Sequence, residues 1–212
     1  MPTFFLILAH PIRTVRRLQE SPRWLGTFLL IAAGLVALRI ASQAHLVEAT
    51  VSALPATVTE ADRNWTRSYL DSELLLRCVF LPLRQIAGMG LFTLMLYALC
   101  VAFDPPVRAR FKQLFALEIH AELFNLLGGW ASLATLLLAG NGDPRSPEIF
   151  ALLTTPKIFT LWYVVVLAAG ILTLFGYSRL KAGILASTAW TVSALFNAYL
   201  LQSVSASMHL HR

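Results

Sequence analysis

The chain has 212 residues, of which 57% are hydrophobic and 13% charged, and its formal net charge is +6. With a mean hydropathy of +0.67, it carries too little charge to solvate the surface of a soluble domain of this size, so lipid is expected to be the solvent for much of it. The basic residues sit in short clusters between apolar runs, as membrane topology requires, which argues against a nucleic-acid partner.

Residues Phe4 to Ala9 are apolar, but no basic residue precedes them and Arg13, Arg16 and Arg17 follow, so a cleaved secretory signal is not expected. Pro11 favours a helix start, and over residues 10–22 Ile12, Val15 and Leu18 share one face while Arg13, Arg17 and Glu20 take another. Such a helix is expected to lie in the headgroup plane, with Trp24 as an interfacial anchor where the first span begins.

Five runs reach the ~20 residues that a hydrocarbon core demands. They are Trp24 to Ala44, Val79 to Phe103, Leu114 to Ala139, Ile158 to Tyr177 and Ala182 to Val204. Inside lipid every backbone polar group needs an internal partner, and continuous runs of this length satisfy that as helices. The expected fold is all-α: one polytopic membrane domain over 1–212 with five transmembrane helices and an N-terminal interfacial helix. Between the first two spans, Leu46 to Leu54 reads as a short surface helix ended by Pro55, and Thr57 with Glu60 has capping-box spacing for a second. The segment with Gly140, Gly142, Pro144 and Pro147 reads as a turn-rich loop. Cys78 and Cys100 fall at opposite ends of the second span, ~33 Å apart at the helical rise and beyond disulfide reach.

Placing the N-terminus inside puts Arg13, Arg16, Arg17, Arg23, Arg108, Arg110, Lys112, Arg179 and Lys181 in cytoplasmic segments. Only Arg63, Arg67, Arg77, Arg145, Lys157 and Arg212 then lie outside, so the bias favours an N-inside, C-outside chain.

Ionisable groups at membrane depth are costly and often functional. Arg39 and Arg84 each sit five residues from the outer end of a span. They either snorkel to the interface or form a basic pocket for an anionic headgroup at one depth on two helices. Glu118 and Glu122 share a helix face, whereas His120 points elsewhere, which argues against one shared metal. The carboxylates are expected to pair with Arg108, Lys112, Arg179 or Lys181 at the cytoplasmic boundary; the sharper alternative is a proton or cation relay. His209 and His211 form a His-x-His on the tail and are not expected to hold metal. Asn125 and Asn197 lie inside spans and read as helix-joining amides. Ala182, Ala186, Ala194 and Ala198 mark a close-packing face of the last helix, and Gly88 with Gly90 and Gly128 with Gly129 are expected to pack or hinge. No phosphate-cradling glycine loop, G-x-S-x-G elbow or nucleophile with an evident base occurs, so neither an enzyme nor a cofactor is expected.

Three segments carry a family resemblance. LILAHPIRTVRRLQESPRW holds His10, Pro11 and Pro22 before the first span; RFKQLFALEIHAEL leads into the third; LWYVVVLAAGILTLFGYSRLKA holds Trp162, Tyr163, Gly170 and the Ser178 to Lys181 linker. Through these, spread over most of the chain, the sequence resembles the Yip family of membrane proteins that interact with Ypt/Rab GTPases, its bacterial branch in particular. The resemblance implies five spans, a cytosolic N-terminus and a non-enzymatic membrane role, tied in eukaryotes to vesicle traffic and GTPase recruitment. Eukaryotic members carry a longer cytosolic N-terminal region with acidic and proline-containing motifs, whereas 23 residues precede the first span here, so Rab binding does not transfer. Fourteen arginines against three lysines suit a GC-rich bacterial coding sequence. The expectation is a bacterial inner-membrane scaffold or accessory factor whose partners are the bilayer, other membrane proteins or an export ATPase system, and copies of itself. The alternative is a small transporter or permease-like subunit. The candidate functional polar residues are Arg39, Arg84, Glu118, His120 and Glu122, and the candidate interface residues are Arg13, Arg16, Arg17, Trp24, Arg179 and Lys181.

Overall fold

The structure, a computed structural model, describes residues 11–52, 54–103, 111–139 and 147–209. Among these residues all regular structure is helical: α1 (Pro11–Glu20), α2 (Leu25–Ser52), α3 (Glu60–Phe103), α4 (Phe111–Ala139), α5 (Pro147–Phe175) and α6 (Arg179–His209). Three stretches are long and apolar enough to cross a membrane, in Leu25–Ser52, Glu60–Phe103 and Ile158–Phe175. Along α2 the side chains of Leu25, Leu29, Leu30 and Ile40 are exposed among the described residues, an apolar surface compatible with a membrane helix.

The segment between the first two expected spans departs from expectation. Residues 46–52 continue α2 rather than forming a separate surface helix. The next helix is continuous for 44 residues, from Glu60 through Phe103, despite Pro82 in its interior. Its cap is Thr59 rather than Thr57: the Asp62 amide donates to Thr59 Oγ1 at 3.2 Å and the Thr59 hydroxyl donates to Asp62 Oδ2 at 2.7 Å. Both threonines have an acidic residue three positions on, but Thr57 is spent in the turn that Val58 closes on the Pro55 carbonyl, so the cap moves two residues on. Arg63 then reaches back, its guanidinium donating to the carbonyls of Val51 at 3.4 Å and Pro55 at 3.1 Å, which closes the open end of α2. Pro147 opens α5 instead of lying in a loop, since a proline at the first helical position loses no ladder hydrogen bond. Residues 140–146, Arg108, Arg110 and His211 lie outside the described residues, as do the side chains of Asn197, Ala198 and His209.

The described chain divides into two compact units. One comprises Leu25–Gly88 and Leu123–Thr160. Its core takes Phe28, Ile31 and Ala32 from α2 and Leu126 and Leu133 from α4. Gly128 and Gly129 serve close packing, since a Cβ on them would meet Phe159 Cβ at 3.2 Å and Leu38 Cδ2 at 2.7 Å. Gly88, by contrast, faces open space, as does Gly90 of the other unit, so no described helix uses that pair for close approach.

Further along α3 within the same unit, the carboxylate of Glu73 accepts from the Tyr69 hydroxyl and from Arg77, whose Nε lies at 2.8 Å. The Tyr69 hydrogen bond, then Arg77, hold the Glu73 carboxyl below its ordinary range, while the same contact to Glu73 holds the Tyr69 phenol above its own. A depressed carboxyl contributes stability that is present above its unfolded value of about 4.3 and lost as pH falls through the folded one. Glu73→Gln is therefore expected to flatten the acid side of a melting-temperature profile. A profile unchanged below pH 5 would refute the coupling.

The other unit comprises Met1–Trp24, Met89–Glu122 and Leu161–Arg212. Its centre is the first half of α4, where Leu114, Ala116, Leu117, Ile119 and Ala121 are fully buried together with Glu118 and His120. A helix apolar on every side is one enclosed by others. Val15 and Leu18 of α1, Leu96 and Cys100 of α3, Val166, Leu167 and Ile171 of α5, and Ala182, Ala186 and Ala189 of α6 complete this core. The alanine face of the last helix thus packs inward as far as Ala189, while Ala194 is exposed. The turn from α5 to α6 is made by Gly176, whose φ of 72° is the left-handed conformation that ends a helix and whose N–H donates to the Leu172 carbonyl at 3.0 Å. Ser178 caps α6 by accepting from the Lys181 amide at 3.3 Å.

Candidate functional site

Glu118 is a carboxylate buried in the core of its unit. It is brought to α5 by an unusually close helix contact: Gly170 of α5 faces Leu117, and any Cβ at that position would overlap the Leu117 methyls. Tyr163 lies seven residues before Gly170, about two turns along the same face. From there its hydroxyl donates to Glu118 Oε1 at 2.7 Å. Glu118 is 3% and Tyr163 4% exposed, and the second carboxylate oxygen, Oε2, is buried with no hydrogen-bond partner among the described residues. Phe92 of α3 packs against the Tyr163 ring with centroids 6.3 Å apart, and the hydroxyl of the adjacent Thr93 is likewise buried without a partner. Glu122, one turn after Glu118 on the same helix, is half-buried. A buried acid with an unsatisfied oxygen is costly to keep and can exchange a proton or take a small donor-bearing ligand.

For Glu118 this corrects the expected pairing with Lys112, Arg179 or Lys181 at a cytoplasmic boundary, whereas Arg108 lies outside the described residues. Glu118 is bonded to Tyr163, while Lys112 and Arg179 are exposed and the Lys181 ammonium donates to the Phe103 carbonyl at 3.4 Å and stands 4.0 Å over the Tyr177 ring. The physical reason is depth: Glu118 lies six residues, about 9 Å, beyond Lys112 along an enclosed helix. His120 also belongs to the core, with Nδ1 donating to the Ala116 carbonyl of its own helix at 2.7 Å. Among the described residues no cluster of three or more His, Cys, Asp or Glu side chains could hold a metal ion.

The candidate interface residues gather at one end of this unit. Gln19 near the end of α1 donates to the Thr173 carbonyl near the end of α5 at 3.0 Å, and Gln113 at the start of α4 donates to the Gln19 carbonyl at 2.8 Å. Tyr177 donates to the Cys100 carbonyl of α3 at 3.0 Å. Around this junction stand Arg16, Arg17, Lys112 and Arg179, all exposed, with Lys181 beside them and Arg13 exposed one turn back on α1. α1 places its apolar face differently from expectation: Val15 and Leu18 are buried by protein, and Ile12 alone of the three remains 47% exposed. Trp24 packs edge-on to Phe115 with centroids 5.3 Å apart, and both rings are half-buried.

In the other unit, Arg39 lines a half-open cavity of about 110 Å³ together with Gln43, Leu70 and Arg77. The expected partner, Arg84, is exposed and seven residues, about two turns, past Arg77 along α3, and it does not line this cavity. Gln43 is 7% exposed; its Nε2 donates to the Leu70 carbonyl at 3.1 Å and to Asp71 Oδ1 at 3.3 Å, which leaves its buried Oε1 without a donor among the described residues.

No family model, curated protein or solved structure matches the chain.

Tyr163, Thr93, Gln43 and Arg77 are the site residues that sequence reasoning passed over. Tyr163 had one signal, its position within an apolar run, where a buried phenol needs an acceptor. The count of basic residues places Arg77 in an outer segment, and nothing in its local sequence ties it to Arg39.

Proposed function

We propose that the chain is a bacterial inner-membrane protein akin to the Yip family, a non-catalytic scaffold or accessory factor that acts through membrane-protein partners. It crosses the bilayer five times, with α1 at the cytoplasmic interface, the N-terminus inside and the C-terminus outside. The collection of exposed arginines and lysines at one end of a unit supports that orientation, because such residues are retained on the cytoplasmic side. The observation that carries the partner reading is the outward face of α6. Leu180, Gly183, Ile184, Ser187 and Thr188, with Arg179 at their head, form one open stripe along the helix. Leu180 is 75% and Ile184 55% exposed, and Gly183 meets no atom within 4 Å, so a small-xxx-small surface stands ready for a transmembrane helix of another protein. Because the space at Gly183 is open, Gly183→Leu is expected to fold normally and to reduce partner recovery from mild detergent several-fold. Pull-downs that repeatedly recover no protein partner with the wild-type chain, or the same partner equally with the variant, would overturn this reading.

A second reading, a small transporter, is favoured by the unpartnered Oε2 of Glu118 beside Tyr163, the arrangement expected of a group that exchanges a proton or cation. Proton or cation flux in proteoliposomes that disappears when Glu118 and Glu122 are both changed to glutamine would put it first.

A further inference from the structure

We propose that the cavity between the facing sides of α2 and α3 holds the headgroup of a phospholipid whose phosphodiester carries a hydrogen-bond donor, an ammonium or a hydroxyl. The inference rests on the membrane placement proposed above.

Arg39 and Gln43 are one turn apart on α2, and Leu70 and Arg77 are two turns apart on α3, so two short stripes face one another across the space. The Arg39 guanidinium makes no ion pair among the described residues, and Arg77 is bridged to Glu73 along its own helix. Two guanidinium groups on one small cavity match the oxygens of a phosphate, whose geometry suits arginine forks. Each arginine also lies within a few residues of the outer edge of an expected span, where headgroup phosphates stand. The cavity volume of about 110 Å³ is that of roughly four waters. A phosphate with a short polar substituent fits, and acyl chains do not. These have a path outside, along the exposed Ile40, Val79, Phe80 and Leu83.

Gln43 narrows the ligand further. Two acceptors, the Leu70 carbonyl and Asp71, hold its nitrogen, which fixes the amide orientation and leaves the carbonyl oxygen waiting for a donor. A bare phosphodiester has none to offer. An ethanolamine ammonium or a glycerol hydroxyl does, and the Asp71 carboxylate beside it adds attraction for the ammonium. A choline headgroup has three methyls there and no donor, so it leaves Gln43 unsatisfied.

The test is lipid retention. The full chain is reconstituted in vesicles of mixed phosphatidylcholine, phosphatidylethanolamine and phosphatidylglycerol, re-extracted in mild detergent, and its bound lipids are counted by native mass spectrometry. Co-flotation with the vesicles reports membrane residence separately. The wild type is expected to retain ethanolamine lipid over choline lipid by roughly tenfold, the scale of one charge-assisted hydrogen bond, and glycerol lipid over choline lipid by roughly fivefold, the scale of a neutral one. Arg39→Gln is expected to lose retention of all three, Gln43→Met to keep retention but lose the preference, and Arg84→Gln to behave as wild type. Circular dichroism of each variant excludes misfolding. Equal retention of choline lipid by the wild type, or undiminished retention by folded Arg39→Gln, overturns the proposal. So does saturable binding of soluble glycerophosphoethanolamine with no enriched lipid, which would make the ligand a free phosphodiester. Failure to co-float would instead overturn the membrane reading itself.

Discussion

Gly170→Val is expected to lower stability by about 1–3 kcal/mol, the range for forcing extra atoms into a packed core. Leu117 occupies the space a Cβ would need, and it is itself fully buried, so neither partner can retreat without moving a helix. The displacement would propagate to the adjacent Glu118, whose bond to Tyr163 depends on the same approach of α4 to α5. Thermal unfolding in detergent measures the loss, and a double-mutant cycle assigns it: Leu117→Ala added to Gly170→Val should recover part of what either change loses alone. Simple additivity of the two would show that the helices do not meet there.

Tyr163→Phe should cost about 1–3 kcal/mol, because the buried carboxyl of Glu118 then loses the one side-chain hydrogen bond it makes among the described residues. The ring contact with Phe92 survives the change, so packing is a small part of the effect. Glu118→Leu in the same background is expected to restore much of the loss, since removing both members of a buried polar pair costs less than orphaning one. If Tyr163→Phe unfolds at the wild-type temperature, the pair does not hold the core together. Recovery in the double variant, with loss of any transported flux, would separate a structural role from a functional one.

Class and approximate helix positions were legible in the apolar runs, because the cost of an unpaired backbone group in lipid leaves helices as the outcome. Helix ends were not. Hydropathy marks the part of a helix that matches lipid, whereas the hydrogen-bond ladder of α3 continues through Arg67, Glu73 and Arg77, which are polar and still helical. The same limit explains Arg39. Aligning two helices by the outer ends of their apolar runs pairs it with Arg84, but α2 runs on to Ser52 and turns back only at Pro55, which sets the register two turns away, at Arg77. Glu118 was singled out correctly, but its partner was not, because Tyr163 lies 45 residues away and the rotation of α5 about its own axis leaves no trace in composition. What could be read at Gly170 was a glycine in an apolar run; that Leu117 fills its place is a property of two helices together.

The 44 residues of α3 amount to about 66 Å of rod, against a hydrocarbon layer of about 30 Å. From Glu60 to Cys78 alone the helix runs about 28 Å before the apolar stretch begins. With the apolar half of α3 across a bilayer, as proposed, its first half would stand as a mast in the aqueous phase with the Pro55 to Thr59 turn at its tip. A single protease site engineered into that turn would report, by one cut in sealed vesicles, which compartment the mast was raised in.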